Sequence, residues 1–223
     1  MIKTEETAED ESETIEEPCP SLLEQTMRAL ELTRGVEIAR RYLAMNAFDG
    51  ALTMLGIILG GLISMTTLVP TEVFDTTILA ALGTSMAMAI SGFSGSYLTE
   101  SAEREREVEE IGKSMLCDMS DSMYAKATRI TSVVVALIDG MSPAMAAIIV
   151  AIPLLLVPFG ILEIYTAFYL AIVVCMILLF VLGLFLGNVS GKSMVNYGLK
   201  TLFAGIITTI LMFLISLLTG ATV

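Results

Sequence analysis

The stretch 164-IYTAFYLAIVVCMILLFVLGLFL-186 decides the fold class of this chain. It contains no Asp, Glu, Lys or Arg. A run of about 20 apolar residues forms a helix long enough to cross the hydrocarbon core of a bilayer. We therefore predict a transmembrane helix at this position.

Four further apolar stretches have the same character. They cover residues 48–69, 73–98, 131–158 and 199–218. The whole composition agrees, because 55% of the residues are hydrophobic and only 16% are charged, whereas soluble proteins carry about 25% charged residues. The sequence predicts an all-α integral membrane protein with five transmembrane helices.

The distribution of polar residues predicts five segments. Residues 1–20 are rich in glutamate and are expected to be a disordered acidic tail. The segments that follow are an amphipathic helix on the cytosolic interface (21–47), the first two transmembrane helices (48–98), an acidic helical segment in the cytosol (99–130) and the last three transmembrane helices (131–220).

The basic residues predict the orientation. All twelve Lys and Arg residues lie before the first span, between the second and third, or between the fourth span and the first residues of the fifth. Because loops rich in Lys and Arg stay on the cytosolic side, the amino terminus is expected in the cytosol and the carboxyl terminus outside. The net charge of −12 disfavours nucleic acid as a partner and favours cations.

The first span carries a small and polar helical face. Asn46 and Asp49 lie on it together with Gly56 and Gly60. An ionisable residue within a membrane helix is by default a candidate for an ion pathway, so Asp49 is predicted to bind metal and Asn46 to line the path. Gly56 and Gly60 are predicted to let another helix pack closely.

The second span carries a matching face. Ser91 is predicted to line the pathway, and Gly92 and Gly95 to serve helix packing. Met86 and Met88 both offer thioether ligands, which suit soft or borderline metals. Methionine is also a common filler of apolar cores, so the sequence does not choose between the two residues.

Four glutamates follow the second span at helical spacing. Glu100, Glu103, Glu107 and Glu110 share one face of a helix, and the neighbouring arginines are expected to point elsewhere. Such an acidic stripe repels itself unless cations bind it, so it is a candidate metal site. The alternative is a charged helix that is simply solvated.

A second Asp-Gly pair lies within the third span. Asp139-Gly140 repeats the pattern of Asp49-Gly50, which is compatible with the parallel repeats of some transporters. Asp139 is therefore a second candidate for handling ions or protons.

The chain offers little for enzyme chemistry. It contains no histidine, no His-Glu zinc motif and no Gly-x-Ser-x-Gly nucleophile motif. We expect neither an enzyme nor a resident cofactor.

The order of these motifs resembles the vacuolar iron transporter family. The resemblance rests on Asn46-Ala-Phe-Asp49-Gly50, on the second-span exit that begins at Gly95-Ser-Tyr97, and on Asp139-Gly-Met-Ser142-Pro143. The link between the last two spans, Gly183 to Gly205, also resembles that family, so that residues 46–215 are covered in all.

The resemblance implies a homodimer that exports Fe²⁺ or Mn²⁺ from the cytosol in exchange for protons. Asp49 falls on the family's membrane carboxylate and would alternate between metal and proton. The membrane would be the cell membrane in a prokaryote or a vacuole-type membrane in a eukaryote. The alternative function is a membrane-embedded scaffold that binds or senses metal without transporting it.

Overall fold

The computed structural model describes residues 22–219, and the predicted disordered tail, residues 1–20, lies outside this range. The described residues form helices and no strand. The helices are α1 (Leu22–Leu32), α2 (Gly35–Ser64), α3 (Pro70–Met115), α4 (Met123–Leu155), α5 (Ile164–Val189) and α6 (Met194–Thr219), with a 3₁₀ turn at Val157–Phe159 after α4.

Five of the six helices are long and apolar enough to cross a membrane. These are α2 to α6, with mean hydropathies between 1.5 and 3.1 in their most apolar windows. The prediction of five apolar helices is confirmed, and the protein is of the multi-pass membrane class. Large apolar side chains cover much of the outer surface, as a lipid solvent allows.

The predicted interfacial helix at 21–47 is two helices instead of one. The chain breaks at Arg34, whose φ of 53° lies in the left-handed region, and α2 then runs unbroken from Gly35 into the first span. A hydrogen bond between the hydroxyl groups of Thr33 and Thr131, with the two oxygens 2.7 Å apart, stabilises this break. Only α1 is therefore a separate amphipathic element.

The acidic segment at 99–130 is also not a separate element. α3 has 46 residues and continues through the glutamates to Met115. At 1.5 Å per residue it is about 70 Å long, more than twice the hydrocarbon core of about 30 Å. The fourth helix then begins at Met123, where the Ser122 hydroxyl accepts a hydrogen bond from the Ala125 N–H at 3.1 Å.

α4 is the central helix. It packs most extensively against α3 and α2 and also contacts α1 and α5. Fully buried side chains of α2, α4 and α5, among them Leu55, Val150 and Phe168, form the apolar core. α6 packs mainly on α5, where the Thr201 hydroxyl donates to the Leu179 carbonyl at 2.8 Å. This arrangement leaves the polar faces of α2 and α3 meeting on α4.

Candidate functional site

A cavity of about 360 Å³ lies where α2, α3 and α4 meet. Its lining is more polar than the helices around it, because it gathers two carboxylates, an amide, two hydroxyls and a thioether. The lining residues are Asn46, Asp49, Thr84, Ala87, Met88, Ser91, Gly92, Asp139 and Pro143. The structure thus brings together residues from three spans that the sequence singled out separately.

Asp139 is the buried carboxylate of this cavity. Its exposed fraction is 7%, and its two oxygens accept hydrogen bonds from the Asn46 amide of α2 and the Ser96 hydroxyl of α3. Among the described residues, no Lys or Arg forms an ion pair with it. Asp139 therefore joins both helices to α4 through neutral donors.

Two close backbone contacts make these hydrogen bonds possible. A Cβ at Gly50 would lie 2.3 Å from the carbonyl oxygen of Pro143, and a Cβ at Gly92 would lie 2.9 Å from the Cα of Gly140. Only glycine permits such an approach of α2 and α3 to α4. Asn46 lies one helical turn from Gly50, so its short side chain reaches Asp139.

Asp49 has a different environment from Asp139. It lines the same cavity but is exposed on the surface of the single chain. Within residues 22–219, its carboxylate takes part in no hydrogen bond or ion pair. It is available to a ligand without the loss of an existing contact.

The two candidate methionines are separated by the structure. Met88 lines the cavity together with Ser91, whereas Met86 is 66% exposed and lies outside the cavity. Both residues are on α3, but their positions two residues apart place them on different sides of the helix. Met88 is the thioether that the geometry offers to a bound ion.

The four predicted packing glycines differ from one another. Gly92 makes the close contact with α4, and Gly60 meets only the terminal methyl group of Met212 at an ordinary 3.5 Å. Gly56 and Gly95 face open space in the single chain. Within the described chain, close helix packing is therefore seen at Gly92 and not at Gly56.

The glutamates after the second span do not form an uncompensated stripe. The expectation that the arginines point elsewhere is wrong, because Arg104 contacts Glu100 at 3.7 Å and Glu107 at 2.9 Å, and Arg106 contacts Glu110 at 2.9 Å. Each arginine lies three or four residues from its glutamate, on the same side of the helix.

The remaining glutamate, Glu103, is exposed and forms no ion pair among the described residues. No group of three or more His, Cys, Asp or Glu side chains within residues 22–219 is placed to hold a metal ion together.

A larger cavity of about 800 Å³ lies between the end of α3 and the start of α4. Cys117, Asp118 and Arg129 are among its lining residues. The Ser120 backbone N–H donates to Asp118 Oδ1 at 2.9 Å and holds the pKa of this carboxyl below its usual range. This cavity contains none of the predicted pathway residues.

The structure adds three polar residues that the sequence interpretation did not select. Ser96 binds Asp139, the Tyr42 hydroxyl donates to Glu100 at 3.3 Å, and Arg104 is buried beside that glutamate. Helical spacing could have identified two of these residues. Ser96 follows Gly92 by four residues and Tyr42 precedes Asn46 by four, so each shares a helical face with a residue that the sequence had selected.

The five long apolar helices define the class of this chain, a multi-pass helical membrane protein. The chain is 31% identical to a protein of Methanocaldococcus jannaschii named "Uncharacterized protein MJ0645" over 195 residues, which cover 86% of this chain and 95% of that relative. The chain belongs to the same family as this archaeal protein. No family model matches the chain, and no solved structure matches it.

Proposed function

We propose that this protein is a secondary transporter that exports Fe²⁺, Mn²⁺ or both from the cytosol in exchange for protons. The proposal rests on the cavity between α2, α3 and α4. Asp49, Asp139 and Met88 line this cavity together, although the helices that carry them are otherwise largely apolar in this region. Polar groups within a membrane are costly and mark pathways for ions or substrates.

The donor set supports a divalent transition metal as the cargo. Carboxylate and amide oxygens from Asp49 and Asn46 suit Mn²⁺ and Fe²⁺, and the thioether of Met88 biases the site against Mg²⁺ and Ca²⁺. A site with few ligands also suits a transporter, because the ion must leave again. The resemblance to the vacuolar iron transporters points in the same direction.

The exposure of Asp49 supports a homodimer. A carboxylate facing lipid is expensive, whereas one that faces a partner subunit or a water-filled path is not. A second copy packed on the open faces of α2 and α3, where Gly56 and Gly95 meet no atom, would enclose Asp49. The proposed path then lies beside the dimer interface.

The proposed orientation has the amino terminus in the cytosol, since all basic residues outside the spans lie on that side. Metal then enters from the cytosolic side, where the amino-terminal end of α2 lies beside the carboxyl-terminal part of α3 that carries the glutamates. Three of these four glutamates are already paired with arginine, so collection of metal by them would require those pairs to open. The membrane is proposed to be the cell membrane in a prokaryote and a vacuole-type membrane in a eukaryote.

The test is metal flux in proteoliposomes. A metal-quenched dye inside the vesicles reports entry of Fe²⁺ or Mn²⁺ under an imposed pH gradient. The wild-type protein is expected to transport both against an excess of Mg²⁺, and Asp49→Asn is expected to reduce flux to that of empty vesicles. Asp75→Asn, an exposed carboxylate of α3 outside the cavity, is the matched control and is expected to behave as wild type.

Two results would overturn the proposal. Wild-type flux in Asp49→Asn would remove Asp49 from the path. Metal binding without flux under any gradient would instead support the membrane-embedded metal sensor or scaffold.

A further inference from the structure

A second set of buried polar residues lies one helical turn from the cavity, on its proposed cytosolic side. On α2, Tyr42 precedes Asn46 by four residues. On α3, Glu100 follows Ser96 by four residues. The hydroxyl of Tyr42 donates to the carboxylate of Glu100 at 3.3 Å. This contact therefore joins α2 to α3 next to the two residues that hold Asp139.

Arg104 connects this contact to the next turn of α3. Its guanidinium lies 3.7 Å from the carboxylate of Glu100 and 2.9 Å from that of Glu107. It also donates to the Thr33 carbonyl, at the break between α1 and α2, at 3.4 Å. The Tyr124 hydroxyl of α4 donates to the other oxygen of Glu107 at 2.7 Å. One guanidinium thus ties α3 to the start of α2 and, through Glu107, to α4.

The centre of this set is shielded from solvent. Glu100 and Arg104 are each 8% exposed, and Thr33 and Ser96 are buried as well. A buried ion pair seldom stabilises a protein more than well-packed apolar residues of the same volume would. Charged groups at this position are therefore better explained by a contact that opens and closes than by the stability of the fold.

The same set marks the less costly route for an ion between the cavity and the cytosol. The exposed side chains at this level of α2 and α3 include the apolar Leu43, Met45 and Leu98. An ion that passed along them would lose its water without gaining polar partners. The polar junction of α2, α3 and α4 offers such partners, and in the structure side-chain contacts close it.

We propose that Tyr42, Glu100 and Arg104 form a gate on the cytosolic side of the cavity. The gate is closed in the structure, and an ion passes between the cytosol and the cavity when the contacts of Glu100 with Tyr42 and Arg104 open. This inference rests on the proposed transport function and its orientation. It gives Glu100 a part in controlling access, whereas the sequence predicted a metal ligand there.

The accessibility of a cysteine in the cavity tests the gate without requiring metal flux. Ala87 lines the cavity and is not among the proposed ligands, so Ala87→Cys introduces the reporter thiol. The full-length chain carries alanine in place of its own cysteines, Cys19, Cys117 and Cys175. A small charged methanethiosulfonate reagent is applied to intact cells and to inverted membrane vesicles. Because the thiolate is the reacting form, the rate of modification reports hydrated access from each side.

Two substitutions weaken the gate in different ways. Tyr42→Phe removes only the hydroxyl that contacts Glu100, and it is expected to raise the rate of modification from the cytosolic side about tenfold, because a hydrogen bond to a charged group is lost. Arg104→Lys keeps the charge but loses the planar fork that reaches two glutamates, and it is expected to raise the rate as well. Tyr169→Phe, at an exposed tyrosine of α5 outside these contacts, is the matched control and is expected to react as the parent does.

Two readouts separate a gate from a general loosening of the fold. The gate variants are expected to raise the rate from the cytosolic side alone. In a second set of variants that keeps Cys175 as the single cysteine, this fully buried thiol is expected to stay unmodified in Tyr42→Phe. Modification of Cys175, or an equal rise from both sides, would show loosening and would overturn the gate.

The outcomes also separate the gate from the proposed function. If wild type moves no Mn²⁺ in proteoliposomes but Tyr42→Phe still opens the cavity to the cytosol, the transport function fails and the closure of the cavity by these residues stands. If wild type transports Mn²⁺ and neither Tyr42→Phe nor Arg104→Lys changes the rate of modification, the gate fails alone. A rise confined to the outer side would reverse the orientation and overturn the assignment of the gate to the cytosolic side.

Discussion

Replacing Gly50 by alanine tests whether the contact between α2 and α4 holds the cavity in shape. The added Cβ would lie 2.3 Å from the carbonyl oxygen and 2.7 Å from the Cα of Pro143. Both atoms are backbone, so no side chain can rotate away. Ordinary contact begins near 3.4 Å, and the two helices must therefore separate by about 1 Å.

The magnitude follows from two opposing effects. Overpacking of this kind costs about 1–3 kcal/mol, and the higher helix propensity of alanine returns about 1 kcal/mol. Gly56→Ala is the matched control on the same helix, because nothing lies within 4 Å of its Cβ position. Since both variants gain the same propensity, the difference between them isolates the contact and is expected to be about 1–3 kcal/mol.

The assay is thermal unfolding followed by fluorescence-detected size-exclusion chromatography. For a chain of this size, each kcal/mol moves the melting temperature by about 2–4 °C. Gly50→Ala is therefore expected to melt several degrees below Gly56→Ala. It is also expected to lose metal flux, because Asn46 moves away from Asp139.

Equal melting temperatures for the two variants would refute the reasoning, since they would mean that α2 and α4 are not held at this distance. Gly83→Ala, another open position, serves as a second control in case Gly56 contacts a partner subunit. The same chromatography reports the oligomeric state and so detects that case directly.

Two further predictions follow from the burial of charged and reactive groups. Arg104→Gln leaves Glu100 buried without its cation and is expected to cost about 3–5 kcal/mol of stability by thermal unfolding. Lys113→Gln breaks an exposed pair and is expected to leave the melting temperature close to that of wild type. Equal effects of the two substitutions would contradict the burial of Arg104. In variants that keep a single cysteine, Cys117 is expected to react with a membrane-impermeant maleimide applied to the cytosolic face, because it is exposed. Cys175 is fully buried and is expected to stay unmodified. Labelling of Cys117 from the opposite face would reverse the proposed orientation.

The five apolar helices were predictable because their signal is local. A run of about 20 apolar residues forms a transmembrane helix in a bilayer, because the helix satisfies its own backbone hydrogen bonds. The boundaries were less predictable. The break at Arg34 and the continuation of α3 to Met115 depend on contacts with other helices, such as the Thr33–Thr131 hydrogen bond.

The candidate site was only partly predictable. Asp49 and Asp139 stand out in any apolar span, because an ionisable residue there is rare. Ser96 does not stand out, since serine is common in membrane helices and its partner is 43 residues away. The arginine pairs of the acidic segment carried a spacing signal, Glu100 to Arg104 at four residues, that favours pairing over a free stripe.

The sequence by itself determined the class of this protein, its five spans and the identity of its membrane carboxylates, because hydrophobicity and charge act residue by residue. Only the tertiary structure decided which polar groups meet. Helices α2 and α3 could present their polar faces to lipid, to a partner or to α4. In the structure they face α4, because Gly50 and Gly92 let the backbones of α2 and α3 approach the backbone of α4 closely at these two positions. That approach makes Asp139 a buried, doubly hydrogen-bonded carboxylate and leaves Asp49 open to a ligand.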